Sequence, residues 1–242
     1  METCYNCQKQ FSRISVHYAR SDCGYPTVPD KLKQRTIGEL AGDGGLGKVW
    51  QSGNCRFKVS MAGESGLAYL QDLHRAFGRF SSCAPEIVRD DYHGSGNAKE
   101  YYQWYTKTHP FFTKLADKWY KERGGKQFPR GLKVTPRFLK AWYCGDGTLR
   151  HDYEPGMPSI KISAASEYAN PALLINMFEE TEFDPKISRG VDSRGVEWSD
   201  VLFSTDQTER VLRYMGKPAP GYGYKWEHPN LSKSEQTEVP FC

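Results

Sequence analysis

Two aspartates stand in matching surroundings. Thr36-Ile37-Gly38-Glu39-Leu40-Ala41-Gly42-Asp43-Gly44 ends in Gly-Asp-Gly, and Leu139-Lys140-Ala141-Trp142-Tyr143-Cys144-Gly145-Asp146-Gly147 ends the same way. Each stretch reads as a helix with small residues along one side that stops on an aspartate. An anion at a helix C-terminus is disfavoured by about 0.3–1 kcal/mol, so two such placements suggest that something positive binds there. Gly38-x-x-x-Gly42 and Ala141-x-x-x-Gly145 place small residues one turn apart, a spacing that lets two helix backbones approach closely. If the helices pack together, Asp43 and Asp146 meet at one end of the interface. Two carboxylates about 4 Å apart repel by roughly 4 kcal/mol at an effective dielectric near 20, and divalent cations turn that cost into a gain. Hard oxygen ligands point to magnesium, and two metals astride a reaction centre can hydrolyse a phosphodiester.

A second set of chemical groups lies at the N-terminus. Cys4-x-x-Cys7, His17 and Cys23 offer three thiolates and an imidazole, the donor set of a tetrahedral zinc ion. A segment of this size, with Phe11 and Ile14 as its apolar residues, needs metal binding to supply its folding free energy. Seven cysteines in all, an odd number, argue for a reduced intracellular protein (cytoplasm or nucleoid) over a disulfide framework. Cys55, Cys83 and Cys144 read as ordinary buried or half-buried thiols.

The elements that position the aspartates repeat along the chain. Thr135-Pro136 is a helix start, a capping hydroxyl followed by proline at the first helical position, and Asp30 serves as the cap of the first helix. Gly44-Gly45 and Gly147 read as stops that use the left-handed conformation. After the first aspartate, Cys55-Arg56-Phe57-Lys58-Val59-Ser60-Met61 alternates apolar and polar as a half-buried strand does. Ser159-Ile160-Lys161-Ile162-Ser163-Ala164 follows the second aspartate in the same register, with Lys161 matching Lys58. Leu67, Leu70, Leu73 and Phe77, and later Leu174, Met177 and Phe178, mark helices. Pro85–Arg89 and Pro185–Arg189 each open a hairpin, turning at His93–Asn97 and Asp192–Gly195 and returning over Tyr101–Lys107 and Glu197–Ser204. Helical segments follow over His109–Glu122 and Thr205–Met215, then Lys126 and Lys225. Each half is α-β-α-β-β-α with one further strand, and two halves on one chain make a pseudo-dimer.

The predicted organisation is a zinc module over 1–29, half-domains over 30–130 and 131–228, and a disordered tail over 229–242. With 242 residues, 38% of them hydrophobic and 26% charged, the chain can bury a real core. No apolar run is long enough to span a membrane, and no signal peptide opens the sequence. The net charge of +4 permits a nucleic-acid partner, and the basic strand faces of the two halves together would form one groove for a duplex.

The paired Gly-Asp-Gly helices resemble the two motifs of single-chain LAGLIDADG homing endonucleases, the second being similar to the LAxWYxDDG version. His109-Pro110-Phe111 through Lys126-Gln127-Phe128-Pro129 resembles the same branch, and the likeness spans roughly residues 31 to 228. The N-terminal cluster is similar to a zinc module that precedes this domain in some relatives. The resemblance implies an α/β (α+β) fold of two pseudo-symmetric half-domains whose saddle-shaped antiparallel sheets lie in the DNA major groove. It also implies a monomer encoded in an intron or intein that cuts one phosphodiester in each strand of double-stranded DNA. Asp43 and Asp146 would then hold Mg2+, helped by carbonyls near Gly42 and Gly145, while Lys126 and Lys225 flank the scissile phosphates. Arg56, Lys58, Ser60, Lys107, Lys161, Ser163 and Arg194 are candidate DNA contacts by strand or turn position. The motif residue before each aspartate is glycine, where many members have alanine or aspartate. The same fold would also suit an RNA-binding intron maturase or a non-catalytic DNA-binding regulator. Retention of both aspartates argues more against the regulator than against the maturase.

Overall fold

A computed structural model describes residues 1–50, 53–90, 99–120, 125–150, 158–228 and 231. The chain opens with a small hairpin, β1 (Glu2–Thr3) against β2 (Gln10–Phe11), and a short helix α1 (Ile14–Arg20). The first repeat follows: α2 (Asp30–Ala41), β3 (Gly45–Lys48), β4 (Cys55–Met61), α3 (Gly63–Phe77), β5 (Glu86–Asp90), β6 (Lys99–Tyr105) and α4 (Pro110–Trp119). The second has the same order: α5 (Pro136–Asp146), β7 (Gly147–Arg150), β8 (Ser159–Ser163), α6 (Pro171–Asn176), β9 (Lys186–Val191), β10 (Glu197–Phe203) and α7 (Thr205–Met215). A 3-10 turn over Gly223–Lys225 ends the second repeat. The two antiparallel sheets, β3-β4-β6-β5 and β7-β8-β10-β9, share one topology.

Alternation along the strands decides which face each sheet buries. In β4, Cys55, Phe57, Val59 and Met61 are buried, while Arg56, Lys58 and Ser60 point the other way. Phe57 and Trp104 pack against Phe77 of α3, and Phe57 also meets Phe112 of α4. In the second sheet Ile160, Ile162, Val201 and Phe203 are buried together with Leu174, Val211 and Met215. Each such side chain contributes about 1.5–3 kcal/mol on full burial, so the helices hold one face of each sheet and leave the other open.

Helices α2 and α5 pack against each other between the sheets. Thr135 caps α5 by accepting a hydrogen bond from Phe138 N at 3.2 Å, with Pro136 in the first turn. The start of α2 differs from expectation: Pro29 is its N-cap, and Asp30 lies inside the helix, paired with Lys33 at 2.8 Å. The stops differ too. Gly44, Gly45 and Gly147 do not adopt positive φ. Their need for glycine is steric: a Cβ at Gly147 would lie 2.0 Å from the Tyr143 ring, and one at Gly44 would lie 2.6 Å from the Glu39 carbonyl oxygen.

The further strand in each repeat is β3 and β7, which leaves each aspartate directly and pairs with β4 or β8. Helix α6 has 6 residues against 15 in α3, so the repeats differ most there. The Asp192–Gly195 turn forms, with Gly195 at φ 79°. The His93–Asn97 turn and, apart from Leu231, the tail from 229 lie outside the described residues.

Candidate active site

The close approach of α2 and α5 brings the two Gly-Asp-Gly ends together. A Cβ at Gly42 would sit 3.5 Å from Gly145 Cα, and one at Gly145 would sit 3.1 Å from Asp43 N and 3.4 Å from Asp43 Oδ2. Asp43 is exposed just beyond α2, and Asp146 is half-buried as the last residue of α5. An open cleft of about 350 Å³ beside Asp146 is also lined by Thr148, Tyr224 and Lys225.

Each helix end carries a lysine. Lys126 Nζ donates to the carbonyl oxygens of Gly42 and of Gly44, the latter at 3.2 Å. Lys225 Nζ donates to the carbonyls of Cys144 at 2.7 Å and Tyr143 at 3.2 Å. The ammonium groups thus satisfy carbonyls left open at the negative ends of the two helices. Tyr143 OH donates to the Lys225 carbonyl at 2.8 Å, and a bridge between Tyr120 and Lys126 holds the first lysine's segment. The repeat is therefore carried through to the lysines.

Partial loss of water around the crowded helix ends raises both carboxyls above their ordinary values, Asp43 included although its side chain reaches solvent. Asp146 reaches about 6, through burial first and the neighbouring Asp43 charge second, against the pull of Lys126 and Lys225. Asp43 is raised by burial while the same two lysines oppose the shift. Both lysines are lowered, again chiefly by burial. Two ammonium groups therefore do not fully compensate two carboxylates in this crowded spot. That donor set, paired carboxylates beside backbone carbonyls, fits a hard divalent cation. Gly42 O is shared with Lys126, and Gly145 lies against Asp43.

The candidate DNA contacts separate into groups. Arg56, Lys58 and Ser60 stand on the open face of the first sheet. The Arg56 guanidinium lies 4.1 Å from the Tyr105 ring centre, and Ser60 Oγ accepts from Gln103 Nε2 at 2.7 Å. Lys161 and Ser163 occupy the matching face of β8, where Lys161 pairs with Asp200 at 3.3 Å and the Ser163 carbonyl accepts from Trp142. Arg194 lies in the β9–β10 turn, bound to Asp192 at 2.8 Å. Lys107 follows β6, pairs with Glu2 of the N-terminal segment and lines one groove with Arg56.

The N-terminal donors converge. The ligand atoms of Cys4, Cys7, His17 and Cys23 all lie within 4.8 Å of one another. Cys7 Sγ and His17 Nε2 are 3.6 Å apart, and a tetrahedral zinc with ordinary bond lengths needs about 3.5 Å between a sulfur and a nitrogen. Burial opposes ionisation of Cys4, but backbone N–H groups of Cys7 and Asn6 outweigh it and lower the thiol to about 6. The donors fit zinc.

One group was not read from the sequence. Beneath Asp43, Arg35 and Glu39 are buried on α2. Arg35 Nη2 donates to Asp72 at 2.9 Å, and Tyr69 OH donates to Glu39 Oε1 at 2.5 Å. Burial raises Glu39 to about 7. The four-residue spacing of Arg35 and Glu39 along one face of α2 was the available signal. Open-face partners were also missed: register places Tyr105 beside Lys58, and Thr148 and Leu202 beside Lys161.

Residues 33–198 match the model of the LAGLIDADG DNA endonuclease family, more than half of the chain. No curated protein matches the sequence. Among solved structures, the homing endonuclease I-WcaI bound to its DNA recognition sequence is similar in fold at a TM-score of 0.68 and 16% identity, over 90% of this chain and 93% of that one. The N-terminal LAGLIDADG domain of DUF199/WhiA scores 0.45 at 14% identity, over 88% and 93% of the two chains. I-DmoI in complex with its target DNA scores 0.43 at 14% identity, over 73% and 90%. The repeated helix–sheet order, the paired Gly-Asp-Gly ends and the family match agree: this chain belongs to the LAGLIDADG DNA endonuclease family.

Proposed function

We propose that this protein is a site-specific double-strand DNA endonuclease that acts as a monomer and hydrolyses one phosphodiester per strand. The observation that carries this reading is the twofold arrangement at the α2–α5 end: the two Gly-Asp-Gly ends meet, the charge of Asp43 acts on Asp146, and each helix terminus bears its own lysine. Asp43, Asp146 and the Gly42 and Gly145 carbonyls would hold Mg2+. When bound, the metal supplies a Lewis acid and a water of lowered pKa. The chain's own residues do the rest. The aspartates orient the attacking and leaving oxygens from the two sides of the interface. Lys126 and Lys225, fixed by helix carbonyls, place positive charge where the phosphate gains negative charge, which is worth most in a partly desolvated site. The open sheet faces bearing Arg56, Lys58, Ser60, Lys161 and Ser163 would lie along the duplex, and zinc held by Cys4, Cys7, His17 and Cys23 would fold the N-terminal segment.

Fold similarity to a DNA-bound homing endonuclease supports the duplex as partner. Incubation with a duplex spanning the insertion site, in Mg2+, should give a double-strand break, and EDTA should stop the cut while leaving the complex on a gel. Binding with no cut under any divalent cation would exclude the enzyme.

A further inference from the structure

Three arginines outside the proposed active site gather in one place. A groove of about 440 Å³ runs between α1 and the end of the first sheet where β4 begins and β6 finishes, and Arg13, Arg20 and Arg56 line it together with Ser12, Ser15 and Thr106. Arg13 and Arg20 are exposed, flanking α1 at its two ends. Among the described residues, none of the three has a carboxylate partner: the acid in the groove, Glu2, is taken by Lys107. Three guanidiniums with no carboxylate partner, one of them stacked on Tyr105, stand beside hydroxyl groups and make an anion-binding surface, and the planar fork of arginine matches a phosphate.

Arg56 gives the groove its direction. It belongs to the open face of β4 with Lys58 and Ser60, so the groove continues that face outward instead of forming a separate site. The attachment is firm. His109 Nε2 bonds to the Pro26 carbonyl at 2.9 Å, Tyr25 packs edge-on against His109, and Arg79 lies over the Tyr5 ring. His17, one of the four clustered metal-type donors, is itself on α1 and ties the helix to that cluster. The second repeat has no such device: among the described residues, no counterpart of α1 stands between α4 and α5.

We infer that the groove formed by α1 and the strand ends of the first sheet takes the phosphodiester backbone of DNA beyond the first half-site, making the footprint longer on that flank alone. The inference rests on the endonuclease reading for its duplex, and adds a one-sided extension of the bound site. Arg13 and Arg20 grip backbone phosphates there without reading bases, so they set affinity and salt dependence, not the cut position.

The test compares wild type with an Arg13→Gln/Arg20→Gln double variant by fluorescence anisotropy on a duplex of arbitrary sequence over a range of salt. Each phosphate contact adds about 0.9 to the slope of log affinity against log salt, so the variant's slope should be shallower by about 1.8. Between about 50 and 200 mM salt the wild type then loses roughly 12-fold more affinity than the variant. An Arg13→Lys/Arg20→Lys variant should keep the wild-type slope, which separates charge from folding. Hydroxyl-radical footprinting on a cleaved target should show protection extended on one flank, lost in the glutamine variant with the cut position unchanged. Equal slopes, or a footprint symmetric about the cut, would overturn the groove while leaving the endonuclease reading intact. A wild type that binds no duplex would instead overturn the endonuclease reading itself.

Discussion

Replacing Gly38 with alanine tests the geometry that brings the two aspartates together. A Cβ at this position would lie 2.4 Å from the Phe138 carbonyl oxygen, 2.9 Å from Phe138 Cα and 2.9 Å from Ala141 Cβ. Two of these atoms are backbone, so no rotamer change relieves the clash; α2 and α5 must separate by roughly 1 Å in a close-packed interior. Overpacking of this kind costs about 1–3 kcal/mol. Acting against it, alanine in place of glycine in a helix interior gains about 0.8–1 kcal/mol. The net expectation is a loss of up to about 2 kcal/mol, or as much as roughly 8 °C in Tm at this chain length. Cleavage should fall by about 100-fold, because a displacement near 1 Å at reacting groups has that effect. Gly42→Ala is the control: its Cβ would meet nothing closer than 3.5 Å, an ordinary contact, and stability should stay within about 0.5 kcal/mol. Thermal melts of metal-free protein and single-turnover cleavage measure both. If Gly38→Ala raises the Tm, helix propensity has won and the close approach of the helices is not there.

Further expectations concern charge and metal. In metal-free protein Asp146, raised to about 6, favours folding below its unfolded value near 3.9 and loses that contribution as pH rises through 6. Asp146→Asn should therefore stabilise the metal-free protein at pH 7 by about 1–3 kcal/mol and flatten its stability between about pH 4 and pH 6, read by urea titration. A destabilised asparagine variant would show that the carboxylate is not strained. Lys225→Met removes the donor to the Tyr143 and Cys144 carbonyls and should lower the cleavage rate by about 100-fold or more with duplex affinity nearly unchanged, a split that kinetics and gel shift resolve. Cys4→Ser should abolish binding of one zinc per chain, measured by elemental analysis, and expose the N-terminal segment to protease while leaving α5, β8, β10 and α7 protected; zinc retained at full stoichiometry would exclude this ligand set.

The sequence made the repeat legible because both signals it uses are local. Small residues one turn apart mark α2 and α5, and strict alternation marks β4 and β8, whose exposed and buried faces came out as read. Thr135-Pro136 announced the start of α5 through a side-chain bond made within three residues. What stayed hidden depends on tertiary contact. Strand β3 is Gly-Leu-Gly-Lys, with too few side chains to alternate, and it is a strand because β4 pairs with it. The glycines after the aspartates looked like left-handed caps, but what excludes a Cβ is Tyr143 and the Glu39 carbonyl, neither visible as a partner in the linear chain. The partner of Lys107, Glu2, lies far away in sequence and came to light only in the fold. Lys126 and Lys225 followed from the repeat and the family resemblance, yet their hydrogen bonds to helix-end carbonyls emerged only from the packed structure.

The account turns on whether the paired aspartates do the chemistry. The direct measurement is single-turnover cleavage of supercoiled plasmid carrying the target, in Mg2+, by wild type, Asp43→Asn and Asp146→Asn at saturating protein. Wild type should convert circles to linear molecules. Each variant should bind with similar affinity and produce no linear product on the same timescale. Linear product from either variant at the wild-type rate would contradict the assignment of Asp43 and Asp146 as the metal-holding catalytic pair.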